Sequence, residues 1–240
     1  MTTGRRVGIL GGTFDPIHCG HLDIGGTAQA ALDLTRLFVI PASIPPHRPQ
    51  PFASSYHRFA MVARAVAGRP GWRVSDLELR NEAPSFTSST LQRFHERGYA
   101  PLELFFVIGA DAFTEIDTWK DYPKILDGTH FAVVSRPGCA VRELPRRFPH
   151  LASRMAPAPL DALTQLDTGP LIILIDAPTA DVSSTAIRRR LAEGQPITGL
   201  VDLGVRQHIE QHGLYTSTIS GRRGNDQPPH SAAGKLHGES

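Results

Sequence analysis

Two histidines three positions apart follow a glycine-rich turn near the start of the chain, in the stretch VGILGGTFDPIHCGHL. His18 and His21 lie where a helix is expected to begin, so both imidazoles can point into the same space. The two glycines before them, Gly11 and Gly12, let the backbone approach a ligand closely and present its amides to an anion. Imidazoles donate hydrogen bonds to phosphate oxygens and take up charge beside a polyanion. The pattern therefore favours a phosphate-binding site.

The same stretch differs from two widespread nucleotide-binding loops. No Gly-Lys-Ser/Thr follows the glycines, as it would in a P-loop, and the spacing is not the Gly-x-Gly-x-x-Gly of dinucleotide-binding oxidoreductases. The two histidines could form half of a metal site, but no third ligand follows at metal-type spacing, so we predict no protein-bound metal. Cys19 lies between the histidines, and we interpret it as a small packing residue rather than a catalytic thiol.

A second cluster, SSTAIRRRL, lies near the end of the chain. Ser183 or Ser184 is a natural N-cap, which leaves free amides in the first helical turn. The spacing places Ser184, Thr185 and Arg188 on one helix face, while Ile187 is predicted to pack on a sheet. Arg188 can then bind phosphate through charge-assisted hydrogen bonds. This helix start is a second candidate phosphate site.

Strands and helices that alternate along the chain are expected to position these two clusters. Short apolar runs predict buried strands over 5–10, 36–41, 72–76, 102–109, 130–136 and 171–176. Helical patterns lie between and after them, over 20–33, 54–67, 88–98, 121–128, 184–194 and 202–213. This alternation predicts an α/β protein with a doubly wound parallel sheet in a single domain.

The residues that could bind a ligand or take part in catalysis follow the ends of the predicted strands. The runs after the strands are GGTFDPIHCGH, PASIPPHRP, GADAFTEIDTW, SRPG and DAPTADVSSTAIRRR. The segments that lead into the strands, such as DLT and DGT, carry no comparable cluster. Ligands of parallel sheets bind beyond the carboxyl ends of the strands. The sequence therefore predicts one shared site at that edge.

Composition narrows the class of protein. The 240 residues carry a net charge of +2 with no concentrated basic stripe, which argues against a nucleic-acid partner. No apolar run approaches a membrane span or a signal peptide, and the two cysteines make no disulfide framework, so we expect a cytoplasmic protein without a membrane partner. Residues 1–216 are predicted to form the domain, with a long connection over 138–170. The Gly/Ser/Pro-rich segment 217–240 is predicted to be a disordered tail.

The two clusters belong to a longer series of motifs. In chain order these are GGTFDPIHCGHL, PPHRP, RFAM, APSFT, FVIGADAFTEIDTWKDYPKIL, SRPG, SSTAIRRRL and HGLY. The series resembles the nicotinate-nucleotide adenylyltransferase family of the His-x-Gly-His nucleotidyltransferase superfamily, and the resemblance covers about Arg5 to Tyr215. The resemblance implies a Rossmann-like nucleotidyltransferase fold. It also implies transfer of the adenylyl group of ATP to nicotinate mononucleotide, with Mg²⁺ carried by ATP. A homo-oligomer is one option for the assembly.

The resemblance also implies a role for each matching residue. Three residues match positions that count as catalytic in the family, because these positions bind the triphosphate and stabilise charge on the transferred group. They are His18, His21 and Arg188. The ATP-binding positions match Gly11, Thr13, Phe14, Arg48, Gly109, Asp111, Ser184 and Thr185. The nicotinate mononucleotide-binding positions match Thr87, Trp119 and Arg136, of which Arg136 corresponds to the ligand of the mononucleotide phosphate.

Some features leave alternatives open. The family commonly has Tyr-Thr followed by an acid, where this chain has Phe86, Thr87 and then Ser89 two residues on. The acceptor could therefore be nicotinamide mononucleotide or phosphopantetheine, and a non-catalytic nucleotide-binding regulator is a further alternative. Trp119 could be a core aromatic, and Asp111 could cap the following helix. The catalytic domain of an aminoacyl-tRNA synthetase is excluded, because the chain is short and has no basic tRNA-binding face.

The chemistry of adenylyl transfer fits the residues available. A phosphate monoester has a second pKa near 6 and is mostly dianionic at neutral pH, so it needs no protein base to attack ATP. The protein must then supply alignment and positive charge. Histidines, an arginine and helix starts provide both.

Overall fold

A computed structural model describes residues 5–46, 49–80, 83–160 and 168–216. Its centre is a seven-stranded sheet in which every neighbouring pair is parallel, with the strand order β3-β2-β1-β4-β5-β7-β6. The strands are β1 Val7–Gly12, β2 Arg36–Pro41, β3 Trp72–Val74, β4 Leu104–Gly109, β5 His130–Val134, β6 Met155–Pro157 and β7 Ile172–Ile175. The predicted parallel sheet is confirmed.

Helices connect the strands and cover both faces of the sheet. They are α1 Cys19–Leu32, α2 Ser55–Val66, α3 Thr87–Glu96, α4 Ala110–Phe113, α5 Leu144–Arg147, α6 Ser184–Ala192 and α7 Leu203–Gln211. Within the described ranges, no helix is both long and apolar enough to cross a membrane.

Alternate strand residues build two separate cores, because successive side chains of a strand point to opposite faces. In β4, Phe105 and Val107 join the core under α1, α2, α6 and α7. Their neighbours Phe106 and Ile108 join the core under α3, α4 and α5. All six residues of β4 are buried. The central strands are thus apolar on both faces, as expected for a doubly wound sheet.

Helix α1 contains two adjacent glycines with different surroundings. A Cβ at Gly25 would lie 2.5 Å from Cη2 of Trp72 and 3.0 Å from Cδ2 of Leu37, whereas one at Gly26 would have no neighbour within 4 Å. Glycine at position 25 lets α1 approach β2 and β3 closely. Packing therefore holds a helix whose intrinsic propensity is weak.

One sequence prediction was wrong. The helix expected over 121–128 is a short 3-10 turn, Lys124–Asp127. It is preceded by Asp121, whose φ of 65° is left-handed, and by Pro123, which cannot donate a backbone hydrogen bond. The described residues of the predicted connection over 138–170 include α5 and the edge strand β6. The predicted tail 217–240 lies outside the described residues.

The sheet order creates a crevice beside β1. From β1 the chain moves outward through β2 to β3 and then returns to add β4 on the other side of β1. Such a reversal separates the loops that leave the two strands, and ligands of open α/β sheets bind there. The loops after β1 and β4 carry the predicted phosphate and nucleoside residues.

Candidate active site

A cavity of about 560 Å³, here called the central cavity, opens at the carboxyl ends of β1 and β4. Its walls come from the loops after these strands and from the starts of α3 and α6. The lining includes every predicted site residue that the structure describes, namely Gly11, Thr13, Phe14, His18, His21, Thr87, Gly109, Asp111, Trp119, Arg136, Ser184, Thr185 and Arg188. The remaining one, Arg48, lies outside the described residues.

The two motif histidines form a stacked pair at the start of α1. Their ring centroids are 3.7 Å apart, and the backbone N–H of His18 donates to Nδ1 of His21 at 3.3 Å. Nδ1 of His18 is buried and, among the described residues, has no hydrogen-bond partner. A buried polar nitrogen without a partner costs stability.

Burial controls the charge of this pair. The pKa of His18 is lowered to about 4, chiefly by burial and then by the charge of Arg136. Burial lowers the pKa of His21 well below its usual value, and the adjacent His18 and Arg136 add to this effect. Both imidazoles are therefore neutral at neutral pH in the structure. A phosphate chain placed beside them would favour the protonated, donating form.

The two sequence clusters meet directly. The hydroxyl of Ser184 donates to the carbonyl of Pro16 at 2.9 Å, and Nη1 of Arg188 donates to the carbonyl of Asp15 at 2.7 Å. Ser183 caps α6 by accepting from the amide of Ala186 at 3.1 Å, as one of the two predicted N-caps. The start of α6 thus faces the same cavity as the histidine pair.

Arg136 holds the loop that leads into α6. Its Nη1 donates to the carbonyl of Ala180 and its Nη2 donates to the carbonyl of Val182, each at 3.0 Å. The carboxylate of Asp23 accepts from the amide of Ala180 at 2.8 Å, so the loop is fixed from both sides. A Cβ at Gly20 would lie 2.6 Å from Nη1 of Arg136, which explains the glycine there. Arg136 lines the cavity, and its predicted contact with phosphate stays a prediction.

The carboxylate of Asp15 connects distant segments of the chain, a role that the sequence analysis missed. Only 4% of this residue is exposed, and its carboxylate accepts from the amides of Phe52 and Ala53 at 2.7 and 3.1 Å and from the hydroxyl of Tyr215 at 2.7 Å. Burial and the charge of Asp15 raise the pKa of Tyr215, which keeps the phenol protonated and donating. Its neighbour Phe14 has a φ of 51°, a conformation that costs energy and is common at functional sites.

Arg58 is the second missed residue. It is 1% exposed, and its guanidinium donates to the backbone carbonyls of Ala53, Thr13, Ala42 and Ser43 at 2.6–3.2 Å. A single buried side chain thereby joins the loops after β1 and β2. The RFAM and HGLY motifs, which include Arg58 and Tyr215, were the available signals, although neither indicated a role.

The opposite wall of the cavity is formed by the start of α3 and the turn after α4. Thr87 is the first residue of α3, so its turn presents backbone amides. Trp119 lines the cavity and also packs edge-to-face on Phe106, with centroids 5.9 Å apart, so it serves both as wall and as core. Glu78 also lines this wall. Burial raises its pKa, and its carboxyl accepts from the hydroxyl of Thr90 at 2.6 Å.

Cys19 behaves as a packing residue. Its Sγ lies 3.3 Å from the carbonyl of Gly199, and burial, followed by the charge of Asp23, raises the pKa of the thiol. A thiol with a raised pKa is a poor nucleophile. Cys19 therefore fits the predicted packing role.

Comparisons with known proteins agree with this geometry. A cytidylyltransferase-like family model matches residues 9–190. The nicotinate-nucleotide adenylyltransferase of Salmonella typhimurium is 38% identical over 207 residues, covering 86% of this chain and 97% of that protein. A Roseiflexus protein named probable nicotinate-nucleotide adenylyltransferase is 40% identical over 213 residues, covering 87% and 97%.

Solved structures share the fold. The Plasmodium falciparum nicotinic acid mononucleotide adenylyltransferase complexed with NaAD superposes with a TM-score of 0.63 at 16% identity, covering 88% of this chain and 97% of that one. The same enzyme complexed with APC gives a TM-score of 0.60. The family model and the relatives of Salmonella and Roseiflexus show that the chain belongs to the nicotinate-nucleotide adenylyltransferase family, within the cytidylyltransferase-like proteins.

Proposed function

We propose that this chain transfers the adenylyl group of ATP to nicotinate mononucleotide, producing deamido-NAD and pyrophosphate in NAD biosynthesis. The observation that carries the proposal is the direct contact between the two clusters, since the histidine pair and the start of α6 line one cavity. The names of relatives at 38–40% identity support the same reaction.

The reaction needs alignment and charge rather than a protein base. A phosphate oxygen of the mononucleotide attacks the α-phosphorus of ATP in line. The new P–O bond forms as the bond between the α-phosphorus and the bridging oxygen breaks, and pyrophosphate leaves with that electron pair. Holding the two substrates in this geometry can contribute about 7–11 kcal/mol to lowering the barrier. ATP enters as its Mg²⁺ complex, because magnesium usually binds through substrate phosphates.

Three groups are proposed to stabilise the transferred phosphoryl group. His18 lines the cavity, His21 stacks on it, and Arg188 contributes positive charge from α6. Ser184 and Thr185 add the free amides of the first turn of α6. Preorganised donors of this kind act strongly in a site that excludes water.

The nucleotide and the acceptor are proposed to bind on different walls. Gly11, Thr13 and Phe14 would hold phosphate by their backbone, and Gly109 and Asp111 would hold adenosine and ribose. Thr87 and Trp119 would enclose the nicotinate, because amides at a helix start favour a carboxylate and an indole favours stacking. Arg136, and Arg48 outside the described residues, complete the proposed phosphate ligands.

A panel of acceptors tests the proposal. The protein is incubated with Mg²⁺-ATP and nicotinate mononucleotide, nicotinamide mononucleotide or phosphopantetheine, and pyrophosphate release is measured. We expect nicotinate mononucleotide to give clearly the highest kcat/KM. Equal or better turnover of the amide would overturn the choice of acceptor, and no turnover with any of the three would favour a nucleotide-binding regulator.

The proposal also covers the cellular location and the oligomeric state of the protein. Cys19 and Cys139 are both free thiols, which fits the reducing cytoplasm. A homo-oligomer is the proposed option for the assembly, and light scattering on the purified protein tests it. A mass of 26.1 kDa at all concentrations would contradict it.

A further inference from the structure

Three histidines outside the central cavity come together between α2 and α7. His57 lies in the first turn of α2, His208 lies in α7, and His212 is the C-cap of α7. Nδ1 of His57 lies 3.1 Å from Nε2 of His208. One ring nitrogen from each of the three residues lies within 4.8 Å of the others. We propose that this cluster, here called the histidine triad, binds a divalent transition-metal ion of the Zn²⁺ type.

The spacing fits the coordination geometry of such an ion. His208 and His212 are four residues apart, so their imidazoles lie on the same face of α7, with ring centroids 4.4 Å apart. Tetrahedral zinc with bonds of about 2.0–2.1 Å holds its ligand nitrogens about 3.3 Å apart. The 3.1 Å between His57 and His208 is close to this value, and His212 is exposed enough to rotate towards them.

The chemistry of three imidazoles decides which ions the triad suits. His208 is 3% exposed, and its Nε2, which faces His57, is the nitrogen that would bind the ion. Three imidazole ligands suit Zn²⁺, Ni²⁺ or Co²⁺, whereas Mg²⁺ prefers oxygen. The triad would therefore select a different ion from the one that accompanies ATP. The exposed position of His212 leaves the fourth coordination position to water.

The triad joins the two helices that support the central cavity. Arg58, the residue after His57, bonds the loops after β1 and β2, and α7 leads to Tyr215, which bonds Asp15. An ion bound to the triad would tie α2 to α7 and so stabilise this support. The inference concerns binding and stability, and it does not depend on the proposed reaction.

Zinc binding by the whole chain tests the inference. A tag-free protein with H230Q and H237Q is used, because these two histidines of the segment 217–240 could bind zinc by themselves. The protein is stripped with a chelator and titrated with Zn²⁺ in competition with a chromophoric chelator. We expect one equivalent to bind with micromolar affinity or better and to raise Tm. Co²⁺ should give the intense visible bands of a four-coordinate site.

Single substitutions assign the site. H57Q and H212Q should each weaken zinc binding at least about tenfold and abolish the rise in Tm. H150Q, which changes an exposed histidine elsewhere, should bind zinc like its parent. Unfolding in the presence of chelator shows whether each variant is folded. The inference is overturned if the parent takes up no zinc at micromolar concentration, or if folded H57Q and H212Q bind it as tightly as H150Q.

Discussion

The hydroxyl of Tyr215 donates a 2.7 Å hydrogen bond to Oδ1 of Asp15, across 200 positions of sequence. Oδ2 of the same carboxylate lies 3.9 Å from Nη1 of Arg188, and this nitrogen also donates to the carbonyl of Asp15. The segment after α7 is thereby connected, through one buried carboxylate, to the proposed triphosphate clamp. The stability of the segment that contains Tyr215 and the geometry of the central cavity are therefore linked.

Removing the hydroxyl in Y215F should lower the free energy of unfolding by about 1.5–3 kcal/mol, the usual value of a hydrogen bond to a charged group. Urea denaturation measures the change. Y56F is the matched control, because Tyr56 is 77% exposed and its substitution should change stability by less than about 0.5 kcal/mol. Equal stabilities of Y215F and the parent would show that the bond contributes nothing.

The histidine pair provides a prediction about catalysis. H18A should reduce kcat for pyrophosphate release by about 10²–10³-fold, as expected when a preorganised donor to the transition state is lost. C19A, the adjacent substitution, should keep kcat within about twofold, because its thiol contacts Gly199 outside the cavity lining. If H18A retained full turnover, or if C19A were equally impaired, the proposed role of His18 would be wrong.

Stability should fall in mild acid. The pKa values of His18 and His130 are lowered to about 4, chiefly by burial, whereas an unfolded histidine titrates near 6.5. Between these values the unfolded chain binds more protons than the folded one, so the free energy of unfolding decreases as pH falls. The loss amounts to about 2 kcal/mol per group at pH 5.

Urea denaturation at pH 8 and pH 5 measures this dependence, with H130N as the test variant. Asparagine can still accept the hydrogen bond that Nδ1 of His130 receives from the amide of Leu171 at 3.0 Å. H130N should therefore lose about 2 kcal/mol less than its parent between the two pH values. A parent whose stability does not change with pH would refute the prediction.

The adjacent glycines of α1 should respond oppositely to alanine. G25A places a methyl group against the rings of Trp72 and the side chain of Leu37, and should destabilise the protein by about 1–3 kcal/mol. G26A meets open space and should stabilise it by about 0.5–1 kcal/mol through helix propensity. Thermal unfolding of the pair decides this, since similar shifts in Tm would mean that the close approach of α1 to Trp72 is not required.

The fold was predictable where local patterns decide it. The run RLFVIP was predicted to be a strand over 36–41, and β2 has these bounds. The segment 121–128 was predicted to be a helix, but the left-handed Asp121 and the poor helix formers Pro123 and Gly128 limit it to a 3-10 turn. Strand β6 was missed because its three residues, Met155–Pro157, end in a proline and include no β-branched or aromatic side chain, whereas the equally short β3 contains Trp72 and Val74.

The site was predictable for a topological reason, and only in part. Parallel strands end at one edge of a sheet, so clusters that follow the strands had to converge there. The bonds of Asp15 and Arg58 were not predictable, because they join side chains and carbonyls with no fixed spacing in sequence. The histidine triad was missed for the same reason, since 151 positions separate His57 from His208.

The order of strands at one edge of the sheet has a consequence for how the protein is made. In the part of the chain that the structure describes, β6 pairs only with β7, and β7 lies between it and β5, although the ribosome synthesises β6 first. Residues 155–157 can therefore join the sheet only after residues 172–175 have been synthesised. From β5 outward, the spatial order of these two strands is the reverse of their order in the chain.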